Sequence, residues 1–260
     1  MSGGDTSPGP VVEMIDVHKS FGRTSVLRGV DLTVHARETL VIIGRSGTGK
    51  SVTLRHIVGL TAPDRGVVRV FGKDVAKLSK RELAELRLRL GFLFQSGALL
   101  AWMTVEENVA LPLVEHRRKL SRSEVEEIVL DKLRLVGLES ARHKLPSEIS
   151  GGMKKRAALA RAIVLEPELI LYDEPTSGLD PVISSTINEL INRTKEVLGT
   201  AQIVVTHDME SAYSIGDRIA LLGDGRVVAQ GTPEEIRASG DELVQQFIQG
   251  RTEGPLAIDT

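Results

Sequence analysis

The sequence predicts an α/β protein built on a buried sheet whose strand ends carry the polar groups. Three observations lead to this prediction. The apolar run 40–43 precedes a glycine-rich loop and a helical pattern, the apolar run 169–172 ends in two carboxylates, and the strand pattern 202–205 ends close to a histidine. Ligands of such sheets bind outside the carboxyl ends of the strands. We therefore expect the polar residues after these runs to form the site.

The composition narrows the class of protein. With 260 residues and 41% apolar content, the chain can bury a substantial core. Its net charge is −2, with 33 basic and 35 acidic residues interspersed, so nucleic acid is not expected as a partner. Cysteine is absent, which excludes disulfides and thiolate sites. No apolar run reaches the ~18 residues of a membrane span, so we expect membrane association only through a partner.

The glycine-rich loop has the phosphate-binding form GxxxxGK[ST] between a strand and a helix. Its backbone N–H groups can turn inward around phosphate oxygens at a positive helix terminus. Lys50 is expected to reach the β and γ phosphates, and Ser51 to place its hydroxyl on Mg²⁺. The expected nucleotide-binding residues here are Gly44, Arg45, Ser46, Gly47, Thr48, Gly49, Lys50, Ser51 and Val52. The loop alone leaves kinases, GTPases and transport ATPases open.

The two carboxylates after the second apolar run have separate expected roles. Asp173 would hold Mg²⁺ through water, and Glu174, facing the other way across the pleat, would polarise the attacking water. Two surface acids at a strand end are the alternative interpretation. The uninterrupted apolar run before them favours a buried strand and an enclosed site.

The N-terminal third predicts a second sheet. Residues 1–10 are rich in glycine, serine and proline and are expected to be disordered. The segments 11–17, 26–34 and 66–71 have strand patterns and are expected to pair antiparallel. Phe21, in the first turn, either closes the sheet edge or provides a face for stacking an adenine ring.

Helical patterns dominate from about residue 96 to 161, which we interpret as an inserted helical lobe. Before it, Ser79 and Glu82 predict a capping box, and a strand at 90–94 ends on Gln95. At the end of the lobe, Ser150, Gly151 and Gly152 open a helix, where they either bind an anion or serve as an ordinary N-cap. The turn 223–225 predicts a hairpin, and residues 240–260 a C-terminal extension with one amphipathic helix.

The stretch 97–103, GALLAWM, is too apolar for an ordinary exposed loop. Either Leu99, Leu100, Trp102 and Met103 all pack inside the helical lobe, or part of the stretch lines a surface that receives a membrane partner. The residue pattern leaves both interpretations open.

Taken in order, GRSGTGKS, Gln95, ISGGM, LILYDE, SGLD and His207 resemble the motif set of ATP-binding cassette ATPases, from residue 11 to about 237. The resemblance implies a RecA-like P-loop NTPase core, bound ATP and Mg²⁺, and a cassette domain at 11–239. It also implies a head-to-tail homodimer in which Ser150, Gly151 and Gly152 complete the partner's ATP site. Phe21 would stack on adenine, Gln95 would contact Mg²⁺ and water, Asp180 would cross the dimer, and His207 would sense the γ-phosphate.

Two positions depart from the general cassette pattern. Arg37 stands where glycine is usual, which suggests a slightly different turn, and Met153 stands where glutamine is usual. The run SGGMKKRAALARA resembles the ATPases that serve MCE-type lipid-binding proteins, such as the Mla phospholipid system. That resemblance implies a permease and an MCE-type protein as partners, with a small accessory subunit as a further candidate. It also implies that the ATPase lies on the cytoplasmic side of the inner membrane. An importer of polar solutes and a non-transport regulator of a membrane assembly remain the alternatives.

Overall fold

The structure is a computed structural model and describes residues 9–251, 253 and 254. Most of the segment 1–10 predicted to be disordered, and residues 255–260 of the predicted extension, lie outside the described residues. The strands are β1 (Val12–Phe21), β2 (Thr24–Val34), β3 (Thr39–Ile43), β4 (Arg65–Val70), β5 (Lys73–Asp74), β6 (Leu90–Leu93), β7 (Leu169–Asp173), β8 (Ala201–Val205), β9 (Arg218–Gly223) and β10 (Arg226–Gly231). The helices are α1 (Lys50–Ile57), α2 (Lys80–Arg87), α3 (Val105–His116), α4 (Arg122–Leu135), α5 (Gly151–Ile163), α6 (Pro181–Leu198), α7 (Met209–Ile215), α8 (Pro233–Arg237) and α9 (Glu242–Gln249).

The N-terminal sheet has the order β2-β1-β4-β5 and is antiparallel, which confirms the prediction for its three longer strands. The two-residue strand β5 was not predicted, since two residues carry no pattern. β1 extends to Phe21 instead of ending at residue 17, because Phe21 still pairs with Thr24 of β2. Phe21 therefore lies at a strand end and not in the turn itself.

The central sheet has the order β10-β9-β3-β8-β7-β6 and is parallel from β9 to β6. β10 adds an antiparallel edge through a two-residue turn, in which Asp224 (φ 46°) and Gly225 (φ 72°) are both left-handed. This is the geometry of a type I′ turn and confirms the predicted hairpin. The carboxyl ends of β3, β6, β7 and β8 share one edge of the sheet.

Two hydrophobic cores cover the two faces of the central sheet. Side chains of β3 alternate between them: Val41 and Ile43 join the first core, whereas Leu40 and Ile42 join the second. Helices α3 to α9 contribute to the first core, and α1, α2 and the N-terminal sheet contribute to the second. Because both faces are covered, the central strands are mainly apolar, and the polar Thr39 and Gln202 within them are buried and bonded to each other at 3.2 Å.

The helices begin where the sequence predicts caps. Ser79 forms the expected capping box with Glu82, and Thr104 and Ser121 form two more. Helices α3, α4 and α5 follow β6 and precede β7 along the chain, and they pack together. This confirms helical structure in this part of the sequence. The division of the chain into subdomains at given residues stays a prediction.

The C-terminal helix α9 is joined to the main body. Val244 is fully buried in the first core, and Leu243, Phe247 and Ile248 pack against it.

Arg37 has a φ of 62°, so it adopts the left-handed backbone that glycine favours. Within the described part of the chain, no helix is both long and apolar enough to span a bilayer.

Candidate functional site

The phosphate-type loop connects the end of β3 to the start of α1. Gly49 caps α1 with a φ of 103°, and a Cβ at this position would lie 2.6 Å from Cδ2 of Leu27. Only glycine meets both conditions without strain. No side chain caps the helix, so its first backbone N–H groups remain available to an anion. Val52, also predicted to bind the nucleotide, lies in the first turn, and its side chain packs against the second core.

Lys50 is buried at the centre of the loop. Its ammonium donates to the carbonyls of Gly44 at 2.8 Å and Arg45 at 3.0 Å, and lies 3.9 Å from Oε1 of Glu174. Burial lowers the pKa of Lys50, an effect partly offset by the carboxylates of Glu174 and Asp173. A buried ammonium beside helix N–H groups is suited to a phosphate.

The side chains of Ser51 and Asp173 are hydrogen-bonded to each other. The Ser51 hydroxyl donates to Oδ1 of Asp173 at 2.8 Å, so two of the three predicted Mg²⁺ ligands, Ser51, Asp173 and Gln95, are adjacent. Across residues 9–251 and 253–254, no cluster of three or more histidine or acidic side chains could hold a metal by itself. One carboxylate and one hydroxyl fit Mg²⁺, which takes its other oxygens from nucleotide phosphates and water.

Glu174 differs from its predicted placement. Strand β7 ends at Asp173, and Glu174 follows with a left-handed φ of 49°. The strand pleat therefore does not set the direction of its side chain. The Glu174 carboxylate is 12% exposed, and its Oε2 lies 2.9 Å from Nδ1 of His207. The predicted base and the predicted γ-phosphate sensor are thus in direct contact.

Lys155 is a site residue to which the sequence reasoning gave no role. Its buried ammonium donates to the backbone carbonyl of Gln95 and, at 3.1 Å, to that of Glu174. The helical spacing of Gly152, Lys155 and Leu159 could have predicted that Lys155 is buried, because the three residues share one face of α5. The Gln95 side chain itself is exposed beyond the end of β6.

Ser150 and Asp180 both cap helices in this chain. Ser150 accepts from the N–H of Met153, and Asp180 accepts from the N–H groups of Val182 and Ile183 at 3.0 Å each. Ser150, Gly151 and Asp180 are exposed. In the part of the chain that the structure describes, no hydrogen bond or ion pair joins Ser150 to the Lys50 loop. The structure therefore does not bring Ser150 into the site of its own chain.

Phe21 remains available for stacking. Its side chain is 47% exposed at the end of β1, and the ammonium of Lys19 lies 5.6 Å from the ring centroid. A side chain that closed the sheet edge would be more buried than this, so the exposure of Phe21 favours a face for stacking on a ligand.

The apolar stretch after Gln95 is divided between core and surface. Trp102 is 75% exposed, whereas Leu99, Leu100 and Met103 are partly buried. The interpretation in which all four side chains pack inside the helical lobe is therefore wrong for Trp102. Arg161 anchors the start of the stretch by donating to the carbonyls of Gly97 and Ala98, both at 2.8 Å.

Comparison with known proteins identifies the family to which the chain belongs. Residues 27–177 match the family described as ABC transporter. The chain is 42% identical over 250 residues to the probable ribonucleotide transport ATP-binding protein mkl of Mycobacterium tuberculosis, covering 96% of this chain and 69% of that protein. It is also 42% identical over 246 residues to the intermembrane phospholipid transport system ATP-binding protein MlaF of Haemophilus influenzae, covering 95% of this chain and 93% of that protein.

A solved structure agrees with these matches. It is the dimeric structure of a post-hydrolysis state of an ATP-binding cassette bound to ADP and Pi. The chain matches it with a TM-score of 0.78 and 34% identity, over 85% of this chain and 98% of that one.

Proposed function

The chain belongs to the ABC transporter family of ATPases, and from this premise we propose that it drives phospholipid transport through a membrane permease. The observation that carries the substrate class is the 42% identity to a phospholipid transport ATPase over 95% of this chain and 93% of the relative. Met153, in place of the usual glutamine after the Ser150 glycines, supports the same subgroup.

Glu174 is the proposed general base of ATP hydrolysis. Its carboxylate lies 3.9 Å from the Lys50 ammonium and 2.9 Å from His207, at the sheet edge where the phosphates would be held. It would accept a proton from the attacking water while His207 orients the carboxylate and contacts the γ-phosphate. Ser51 and Asp173 would hold Mg²⁺, which neutralises charge on the phosphate oxygens when it is bound.

A homodimer is proposed to complete each ATP site. The exposed Ser150 helix start does not contact the Lys50 loop within one chain, so a second copy would supply it. The dimeric cassette that this chain resembles supports the arrangement. In such a dimer, Asp180 would contact the opposite site and Phe21 would stack on adenine.

The proposed complex contains the ATPase dimer, permease subunits and an MCE-type lipid-binding protein, and allows for a small accessory subunit. The ATPase would lie on the cytoplasmic side of the inner membrane, held there by the permease. Its proposed contact surface consists of exposed apolar residues beside Gln95. Phe94 is 41% exposed and lines a groove together with Leu111 and Pro112. Trp102, in the stretch that follows Gln95, is 75% exposed.

One observation favours a different substrate class. The mycobacterial relative carries a name that refers to ribonucleotide transport, at the same 42% identity as the phospholipid relative. An importer of polar solutes is therefore the second candidate. A regulator that binds ATP without transport is a third, and it predicts no substrate at all.

The experiment is purification of the full chain with its native permease, followed by mass spectrometry of co-purified small molecules. We expect phospholipid enriched relative to the solubilised membrane, and ATP hydrolysis that rises on reconstitution into phospholipid vesicles. Stimulation by ribonucleotides without lipid enrichment would replace the phospholipid proposal with the importer. Hydrolysis that responds to neither class would favour the regulator.

A further inference from the structure

Lys155 occupies an unusual position for a lysine. It lies on the alanine-rich helix α5 and is 6% exposed. Its ammonium donates to two backbone carbonyls, those of Gln95 and Glu174, which are far apart in sequence. None of the ion pairs found among the described residues includes Lys155.

Stability gives little reason for a lysine at this position. Removing an ammonium from water is costly unless other groups replace its hydration, and burial lowers the pKa of Lys155 accordingly. An apolar side chain on the same face of α5 would avoid that cost. The presence of a lysine is therefore better explained by the two residues whose carbonyls it binds, Gln95 and Glu174, than by stability.

Glu174 has a backbone conformation that needs support. A left-handed φ of 49° is unfavourable for a glutamate and persists only where its surroundings hold it. Five contacts do so here. The Glu174 N–H donates to the Val205 carbonyl at 2.9 Å, and the carboxylate lies 2.9 Å from His207 and 3.9 Å from Lys50. The Glu174 carbonyl accepts from Lys155 at 3.1 Å and from the Ser177 N–H at 3.2 Å.

We propose that Lys155 is a positioning residue for ATP hydrolysis, whose ammonium joins the carbonyls of Gln95 and Glu174 and so fixes the direction of the Glu174 carboxylate. This inference rests on the proposed role of Glu174 as the base. Lys155 also lies on the helix that Ser150 opens. A displacement of that helix, or of the loop that begins at Gln95, is thereby transmitted to the base.

The first test replaces Lys155 with methionine, which keeps the length of the side chain and removes the ammonium. We expect kcat of the full chain to fall on the order of tenfold, because the base loses its orientation, while the Kd for ATP changes less than about twofold. Lys155→Arg keeps a charged N–H donor group and should recover most of kcat. The matched control is Lys132→Met, since Lys132 is also buried on the helical lobe but pairs with Glu166 at 2.9 Å.

A double-mutant cycle separates positioning from general structural damage. In a Glu174→Gln background, Lys155→Met should lower the residual turnover less than about twofold, because there is no base left to orient. An equal fold-loss in both backgrounds, or wild-type kcat in Lys155→Met, would overturn the proposal. Wild-type turnover in Glu174→Gln alone would instead refute the proposed base.

Folding is monitored by circular dichroism in every variant. If Lys155→Met does not fold, Lys155→Ala takes its place in the cycle, because alanine also removes the ammonium and suits the alanine-rich helix α5. Failure of both to fold would assign Lys155 a structural role and overturn the proposal.

Discussion

The hydroxyl of Ser51 donates to Oδ1 of Asp173 at 2.8 Å, although 122 residues separate them in sequence. Ser51 belongs to the first turn of α1, after β3, and Asp173 ends β7, with β8 lying between the two strands. The parallel sheet therefore brings together a hydroxyl and a carboxylate that local sequence could only assign separately.

This pair predicts how nucleotide binding depends on Mg²⁺. In Asp173→Asn, the loss of the negative charge should reduce the gain in ATP affinity that Mg²⁺ provides by about tenfold, or about 1.4 kcal/mol. Calorimetric titration with and without Mg²⁺ measures the gain directly. In EDTA the variant and the parent should bind ATP alike. An unchanged Mg²⁺ effect would show that Asp173 is not a ligand, even through water.

Glu174→Gln should separate ATP binding from hydrolysis. The amide cannot accept the proton of the attacking water, so turnover should fall on the order of 10²-fold or more. ATP binding should persist because Lys50, Ser51 and Asp173 remain in place, and ATP should then trap a dimer visible by size-exclusion chromatography. If phosphate release continued at the parental rate, Glu174 would lose its assigned role.

Local sequence predicted the parts of the fold that depend on local chemistry. The Ser79 capping box and the left-handed turn at Asp224 and Gly225 require only neighbouring residues, and the sequence identified both. Strand ends carrying Asp173 and His207 were predicted because buried parallel strands read as apolar runs.

The remaining features depend on distant contacts. The partners of Lys155 are 60 and 19 residues away in sequence, and no local pattern connects them. The left-handed backbone of Glu174 depends on the same contacts. The exposure of Trp102 could not be predicted because apolar content does not show which neighbours cover a side chain.

The dimer can be tested by complementation in trans. Ser150→Arg and Lys50→Ala chains are each expected to be inactive as homodimers. Their heterodimer holds one site with both lesions and one with neither, so an equal mixture should recover on the order of a quarter of parental turnover by statistical pairing. Differential tags confirm that heterodimers form. Activity no higher than that of the separate variants, with heterodimers present, would count against a shared site.

Two glycines of the nucleotide loop should respond differently to substitution. At Gly49, alanine would meet both a φ of 103° and an atom of Leu27 at 2.6 Å, so unfolding free energy should fall by about 2–4 kcal/mol. At Gly47 the φ is 84° but no atom lies within 4 Å, so the backbone alone should cost about 1–2 kcal/mol. Urea unfolding without nucleotide gives both values. Equal losses at the two positions would contradict the steric argument.

The last prediction concerns Trp102, whose side chain is 75% exposed beside the loop that follows Gln95. A buried tryptophan would cost about 3–5 kcal/mol on truncation to alanine. An exposed one should cost the isolated chain less than about 0.5 kcal/mol. Because so large an exposed apolar side chain is costly to leave in water, we expect Trp102→Ala to weaken co-purification with the permease instead.

The matched control for that experiment is Val197→Ala, since Val197 is 60% exposed but lies at the C-terminal end of α6. It should affect neither stability nor permease binding. Thermal unfolding of each isolated variant and its recovery with the tagged permease form the paired measurement. A strongly destabilised Trp102→Ala chain would refute the exposed position. A stable one that binds the permease as well as Val197→Ala does would show that Trp102 is not part of the interface.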